Sequence, residues 1–316
     1  MKIGLDVMGG DFAPEAIIRG AILAHSYLDE DDVIYLIGKD DVIRKFLEKE
    51  KFSSEKIVIV NANEIIEMHE QPIKAFNSKL HSSINVGFNL LKQKEIDSFA
   101  SAGNTGAMLV GAIYSAGTMP GIIRPCTIVG LPQENGGVCI LLDIGTNPDA
   151  KPEMLYQFGL LGSIYSKHLY NAENPKVGLL NIGIEEEKGN ILYQTTFKMM
   201  KNTQDFNFIG NIESRDLFKN KVDVAVCDGF TGNIVLKHTE ALYRLMKKRN
   251  LMDDYLESLN YENYGGTPIL GVNSTVIVGH GISKEIATKN MIMLSKNVFQ
   301  AKVVEKIKNT LINITN

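Results

Sequence analysis

Short apolar, β-branched runs alternate along this chain with longer segments in which apolar positions recur every three or four residues. The short runs are Ile3–Val7, Val33–Ile37, Ile57–Val60, Ser98–Ala102, Val138–Leu142, Val177–Ile182, Phe206–Ile209, Val222–Val226 and Thr275–Val278. They predict strands, many of them apolar throughout, as parallel strands covered on both faces are. The longer segments predict helices over Pro14–Tyr27, Asp41–Lys51, Ser82–Lys94, Glu153–Leu169, Gly189–Lys201, Asn233–Arg249 and Lys284–Ile307. Pro14 suits an early helical position, where its missing N–H costs nothing. Regular alternation of the two kinds predicts an α/β protein, a three-layer α/β/α sandwich with a mostly parallel sheet. One domain over residues 1–316 is expected, with a helical protrusion at about 234–264.

Four strand-like runs end in loops rich in glycine, asparagine, threonine and acid: Met8-Gly9-Gly10-Asp11, Gly103-Asn104-Thr105-Gly106, Gly183 to Asn190, and Asp228 to Asn233. In an open parallel sheet such loops gather at the carboxyl edge, where helix N-termini offer unpaired N–H groups to an anion. The uncharged stretch from Ser98 to Ile123 is interrupted by Asn104, Thr105, Ser115, Thr118 and Pro120. It falls short of the roughly 20 mainly apolar residues of a spanning helix. It reads as a strand, a polar loop and a buried helix over Ala107–Ala116, in a soluble protein.

Composition narrows the chemistry. A net charge of −4 and a pI near 5.9 argue against general nucleic-acid binding. Cys126, Cys139 and Cys227 have no metal-like spacing and read as reduced cytosolic thiols, with Cys139 and Cys227 packed inside strands. The chain opens directly on a strand, so no targeting segment is expected. No G-x-G-x-x-G follows the first strand, and neither a P-loop nor an H-E-x-x-H occurs. Phe99-Ala100-Ser101-Ala102-Gly103 lacks the first glycine of a nucleophile elbow.

Three polar residues then carry two readings each. Lys188 lies at a loop-to-helix junction behind Glu185, Glu186 and Glu187. It is either part of a solvated charge run at a helix start or a cation reaching the strand-edge crevice. Asn233 and Asn104, each at the end of a glycine loop or inside it, are either helix caps or ligand donors.

The segment Gly4-Leu5-Asp6-Val7-Met8-Gly9-Gly10-Asp11-Phe12-Ala13-Pro14-Glu15 closely resembles the amino-terminal signature of the PlsX-type phosphate acyltransferases, the bacterial acyl-acyl-carrier-protein:phosphate acyltransferases. The resemblance continues, in the family's order, through Ser101 to Ala107, Arg124-Pro125, Leu142 to Asn147, Leu180 to Gly183, Lys188-Gly189-Asn190, Cys227 to Asn233, Tyr264-Gly265-Gly266 and His280-Gly281. It implies a fold related to the isocitrate/isopropylmalate dehydrogenases and the phosphate acetyltransferases, a homodimer, and no metal or redox cofactor. The implied reaction moves a long-chain fatty acyl group from acyl carrier protein to inorganic phosphate, giving acyl phosphate for phospholipid synthesis. Lys188 and Asn233 are the implied catalytic pair. Phosphate or substrate contacts are implied for Gly9, Gly10, Asp11, Gly103, Asn104, Thr105, Gly106, Asp143, Asn147, Asn190, Asp228, Gly229, Thr231, Gly232 and His280. The three aspartates are also read as orienting Lys188, holding loops or capping helices, since a carboxylate repels phosphate. His280 is read either as a general acid for the leaving thiolate or, preferred because a thiolate needs little protonic help to leave, as a structural histidine.

The sequence departs from the family's pattern at Thr146, where alanine is usual, at Ile282, where a small polar residue is usual, and in a short span of 31 residues from Ile234 to Tyr264. Within that span Leu242, Leu245 and Met246 form one apolar stripe, and Met252, Tyr255, Leu256 and Leu259 form a second. Packing on the protein's own core is one reading of the first stripe. The flanking Arg244, Lys247, Lys248 and Arg249 support the other, docking of acidic acyl carrier protein or peripheral contact with the inner face of the cell membrane. Two competing functions are a nicotinamide-dependent dehydrogenase of the related fold and a non-catalytic carrier-protein or membrane scaffold.

Overall fold

A computed structural model describes residues 1–315. In chain order the strands and α-helices are β1 (Lys2–Asp6), α1 (Glu15–His25), β2 (Val33–Gly38), α2 (Asp40–Lys49), β3 (Ile57–Asn61), α3 (Pro72–Ser78), α4 (Ser83–Lys92), β4 (Ser98–Ser101) and α5 (Thr105–Gly111). Then come β5 (Cys126–Pro132), β6 (Val138–Leu142), α6 (Pro152–Leu169), β7 (Lys176–Leu180), α7 (Ile191–Met200), β8 (Asn207–Ile212), β9 (Val224–Val226), α8 (Gly229–Lys248) and α9 (Asp254–Ser258). The last are β10 (Thr267–Leu270), β11 (Thr275–Val278), α10 (Glu285–Gln300) and α11 (Val303–Thr315). They form two compact units, one of residues 1–118 and 261–300, the other of residues 119–260 and 301–315.

In the first unit the strand order is β3-β2-β1-β4-β11-β10. All neighbours are parallel except β10 and β11. Phe88 of α4 and Phe99 of β4 meet edge to face at 5.1 Å in a core completed by Ala75 and Phe76 of α3, Met108 of α5 and Val276 of β11. Elsewhere in the unit α1 packs against α10, where a side chain at Gly20 would strike Thr288.

The second unit has the order β5-β6-β9-β7-β8, with β5 and β6 an antiparallel pair and the rest parallel. Alternation along β6 separates its two faces. Leu142 packs with Val224 beneath Gly162 of α6, while Leu141 and Cys139 join Ala225 in a cluster with Val235 and Leu236 of α8. The mostly parallel sheets with flanking helices match the architecture expected from the alternating pattern. All three cysteines are buried, and burial raises each thiol above its usual range, so none is poised as a thiolate.

Several boundaries differ from the sequence reading. The strands β5 and β10 and the helix α3 were not expected. The expected helix over 284–307 is two helices, broken where Lys302 takes a left-handed φ of 53°. The helix expected from Asn233 begins earlier, at Gly229. The helix expected over 107–116 is α5 followed by one π-helical turn over Ala112–Gly117. No helix among the described residues is long and apolar enough to cross a membrane.

Candidate active site

In each unit the loops that follow neighbouring parallel strands meet at the carboxyl edge. In the first unit the loop after β1 lies against the loop after β4: a Cβ on Gly9 would stand 2.7 Å from the Gly103 backbone. Asp11 N–H donates to the Gly281 carbonyl at 2.8 Å, bringing in the segment after β11. Beneath them Asp6 is buried and accepts from Ser101 Oγ (2.6 Å) and Met8 N (2.9 Å). Burial raises the Asp6 carboxyl above its usual range, against the lowering effect of these hydrogen bonds. Asp6 went unassigned at the sequence level, although a lone acid in an apolar strand was a visible signal.

Asn104 is the cap of α5, accepting from Ala107 N at 3.0 Å. Its amide group also donates to the carbonyls of Glu67, Met68 and Glu70. Both ends of the side chain are therefore engaged by the protein, which is the arrangement of the capping reading. Gly9, Gly10 and Gly103 lie in the loops after β1 and β4, with Asp11 exposed beside them, while Thr105, exposed, and Gly106 form the first turn of α5. His280 is half-buried, stacks at a tilt on Tyr261 (5.3 Å) and accepts from Ile282 N at Nδ1 (3.3 Å).

In the second unit three loops converge, those after β6, β7 and β9. Asp143, fully buried, is the hub. Its Oδ1 accepts from Thr127 N (3.0 Å), Thr127 Oγ1 (2.8 Å) and Thr146 N (3.3 Å), and its Oδ2 accepts from Asn147 N (2.6 Å) and Asn147 Nδ2 (2.9 Å). Asn147 also donates to Pro125 O, which fixes the start of β5. Thr146, the departure from alanine, shares a 2.9 Å hydrogen bond with Thr127 Oγ1. The first turn of α8 sits directly on this hub. A Cβ on Gly232 would come within 1.9 Å of the Asp143 carbonyl oxygen, and one on Gly229 within 2.9 Å of Asp143 Oδ2.

That close approach explains where α8 begins. Asp228 is its cap, accepting from Thr231 N (2.9 Å) and Thr231 Oγ1 (2.9 Å), and Tyr193 Oη donates to it at 2.5 Å. The carboxylate already occupies the positive end of the helix. Asn233 therefore stands in the second turn of α8 and caps nothing, which removes the capping reading for that residue. Its side chain lies about 3.8 Å from the Cβ position of Gly145.

Asn190 caps α7, accepting from Tyr193 N at 3.2 Å. Lys188 lies ahead of that cap, 45% exposed, with its ammonium 3.9 Å from Glu185 Oε2. Glu185 and Glu187 lie in the same loop rather than in the helix. A cavity of about 550 Å³ opens between these segments, lined by Asn181, Gly189, Asn190, Tyr193, Thr231 and Val235 among others. Lys188 adjoins the lining residue Gly189, and Asn233 lies on α8 between the lining residues Thr231 and Val235, two positions from each. Tyr193 had no sequence signal, because its partner Asp228 is 35 positions away. Burial raises its phenol well above the usual range, so it stays protonated.

On α8 the apolar stripe packs inward only in part: Leu242 and Leu245 are exposed and Met246 is half-buried, while Tyr243 beside them is buried. The basic cluster is partly neutralised at home. Arg244 pairs with Glu240 at 3.8 Å and Lys247 with Glu257 at 3.8 Å, while Lys248 and Arg249 are exposed. No group of three or more metal-ligating side chains occurs among the described residues.

Mostly parallel sheets with glycine-bearing loops at their carboxyl edges define an α/β fold class that the phosphotransacetylases share. The structure superposes on a phosphotransacetylase from Streptococcus pyogenes with a TM-score of 0.65, at 18% identity, covering 96% of this chain and 94% of that one. A branched-chain phosphotransacylase from Enterococcus faecalis superposes with a TM-score of 0.63, at 12% identity, covering 95% and 99%. Residues 1–306 match a family model described as fatty acid synthesis protein. The phosphate acyltransferase of Dictyoglomus turgidum is 42% identical over 335 residues, covering 100% of this chain and 99% of that one. That of Halothermothrix orenii is 42% identical over 329 residues, covering 98% of each. The chain belongs to this fatty acid synthesis family, that of the phosphate acyltransferases.

Proposed function

We propose that this protein transfers a long-chain fatty acyl group from the thioester of acyl carrier protein to inorganic phosphate, giving an acyl phosphate for phospholipid synthesis. The observation that carries the reading is similarity to phosphate acyltransferases along the whole chain, at 42% identity. A phosphate oxygen attacks the thioester carbonyl, the C–O bond forms, the C–S bond breaks, and the thiolate leaves to be protonated by water. Phosphate is itself the nucleophile, so an enzyme-bound acyl group is not required. The protein's task is to hold an anion beside a developing oxyanion, which calls for a cation and fixed donors.

Lys188 suits the cation. Its ion pair with Glu185 is long and exposed, and such pairs contribute little, so phosphate can exchange for the carboxylate. Asn233 suits the neutral donor, because a residue in the second helical turn has its amide free of capping duty. The glycines of the first unit's loops would let backbone approach substrate closely. Acyl carrier protein, which is acidic, would dock on Lys248 and Arg249. Assembly as a homodimer, in the cytoplasm and peripherally at the membrane's inner face, completes the proposal.

The test is a product assay with long-chain acyl carrier protein and phosphate, trapping acyl phosphate with hydroxylamine. Thiol release should depend on phosphate. Free fatty acid formed at a rate indifferent to phosphate would make the protein a hydrolase and overturn the reading.

A further inference from the structure

We propose that Tyr193 is a positioning residue for the acyl-transfer site: its phenol ties the loop bearing Lys188 to the helical turn bearing Asn233. The inference rests on the catalytic reading above and adds a residue to it. Tyr193 stands in the first turn of α7, where its own N–H is taken by the cap Asn190, two residues beyond Lys188. Its hydroxyl donates to Asp228 Oδ2 at 2.5 Å and accepts from Asp228 N–H at 3.2 Å. Asp228 in turn caps α8, five residues before Asn233.

One buried side chain thus makes two reciprocal hydrogen bonds with the residue that starts the Asn233 helix, while its backbone is fixed to the residue that ends the Lys188 loop. The anchor at the α8 end is stiff, because Gly232 and Gly229 rest on the buried Asp143 hub. The Lys188 end is exposed over residues 184–188 and held mainly by side chains from outside the loop, rather than by a buried hub like that at Asp143. Asn211 Nδ2 donates to the Glu185 carbonyl (2.7 Å), Gln194 Nε2 to the Glu187 carbonyl (2.8 Å) and Asn181 Nδ2 to the Lys188 carbonyl (3.1 Å). Removing the phenol oxygen would release the exposed end from the stiff one. The cation would then sample positions away from the reacting oxygen, and misplacement of about 1 Å is enough to cost rate heavily.

The variant is Tyr193→Phe, which keeps the ring and removes the hydroxyl. Turnover with acyl carrier protein thioester and phosphate should fall about tenfold or more, with a melting temperature within a few degrees of wild type. The decisive readout is the pair with Lys188→Ala. If the hydroxyl works by placing the lysine, Tyr193→Phe added to Lys188→Ala should lower turnover by less than about twofold further. A merely structural hydroxyl would multiply the two losses, and that outcome, or wild-type kinetics in Tyr193→Phe alone, overturns the proposal. Should Tyr193→Phe fail to fold, Asp228→Asn, which retains a capping oxygen, carries the same comparison with Lys188→Ala. Calorimetric titration with inorganic phosphate separates this inference from the reading it rests on. A wild type that makes no acyl phosphate defeats the reading, whereas an active wild type whose phosphate affinity and turnover are matched by Tyr193→Phe defeats only the positioning role.

Discussion

Replacing Asp143 by asparagine should cost stability, and the structure sets how much. The carboxylate is fully buried and accepts five hydrogen bonds, three at Oδ1 and two at Oδ2. An amide has one acceptor oxygen, so its NH2 group must face at least two donors. With the oxygen kept toward Thr127, the NH2 opposes Asn147 N and Asn147 Nδ2. The second can still donate to Pro125 O, but the first is a buried backbone donor with no freedom to turn away. Hydrogen bonds to a charged group contribute about 1.5–3 kcal/mol each, so losing two removes about 3–6 kcal/mol. Against a typical total stability of about 5–15 kcal/mol this is severe. The chain has no tryptophan, so urea unfolding is best followed by circular dichroism. With a slope near 3 kcal/mol per M, the transition of the second unit should move down by about 1 M or more. A loss below about 1 kcal/mol, together with a raised KM for phosphate, would show that Asp143 serves substrate and that the hub is misread.

Lys188→Ala and Asn233→Ala should each lower turnover by about 10²–10³ with unfolding curves like wild type, and near-normal turnover at saturating substrate would remove that residue from the mechanism. Lys248→Glu combined with Arg249→Glu should raise KM for acyl carrier protein at low salt, with the difference fading as salt rises; identical low-salt kinetics would move the docking surface elsewhere. The Asp6 carboxyl is raised by burial, so the unfolded chain gives up this proton first, near its ordinary value of 3.8. Stability relative to Asp6→Asn should therefore fall as pH rises from there through the raised folded value and then level off, and a flat difference from about pH 4 to 8 would refute it.

Strand positions and the alternation of elements were legible because buried parallel strands announce themselves as apolar runs. What escaped was set by contacts distant in sequence. Gly229 and Gly232 count against a helix by propensity, so the sequence put the start of α8 after them. The structure puts both inside it because only glycine lets the turn rest on the Asp143 backbone. The break between α10 and α11 was invisible, since Gln300, Ala301 and Lys302 are all good helix formers. β10 holds Pro268 in its second position, which argues against a strand by pattern. The gathering of glycine loops at the carboxyl edges was readable from their spacing, whereas the role expected of Lys188 came from family resemblance alone. The division of labour among the polar residues was not readable: Asn104 holding a distant turn and Tyr193 holding Asp228 depend on pairings no local pattern encodes.

The first unit has a consequence for how the protein is made. Its sheet places β4 between β1 and β11, so the central strand of residues 98–101 waits for a neighbour formed by residues 275–278. Lys296 of α10, nearly buried, pairs with Asp29 at 2.8 Å and Asp32 at 2.7 Å, joining segments made early and late in synthesis. A ribosome must therefore finish the whole second-unit insertion before the first unit can close. Until then the nascent chain carries β4 with an open edge, ready to pair with a neighbouring chain. Residues made first therefore keep one sheet edge unpaired until residues 275–278 emerge, and crowding of nascent chains on a polysome is where that edge is exposed to a wrong partner.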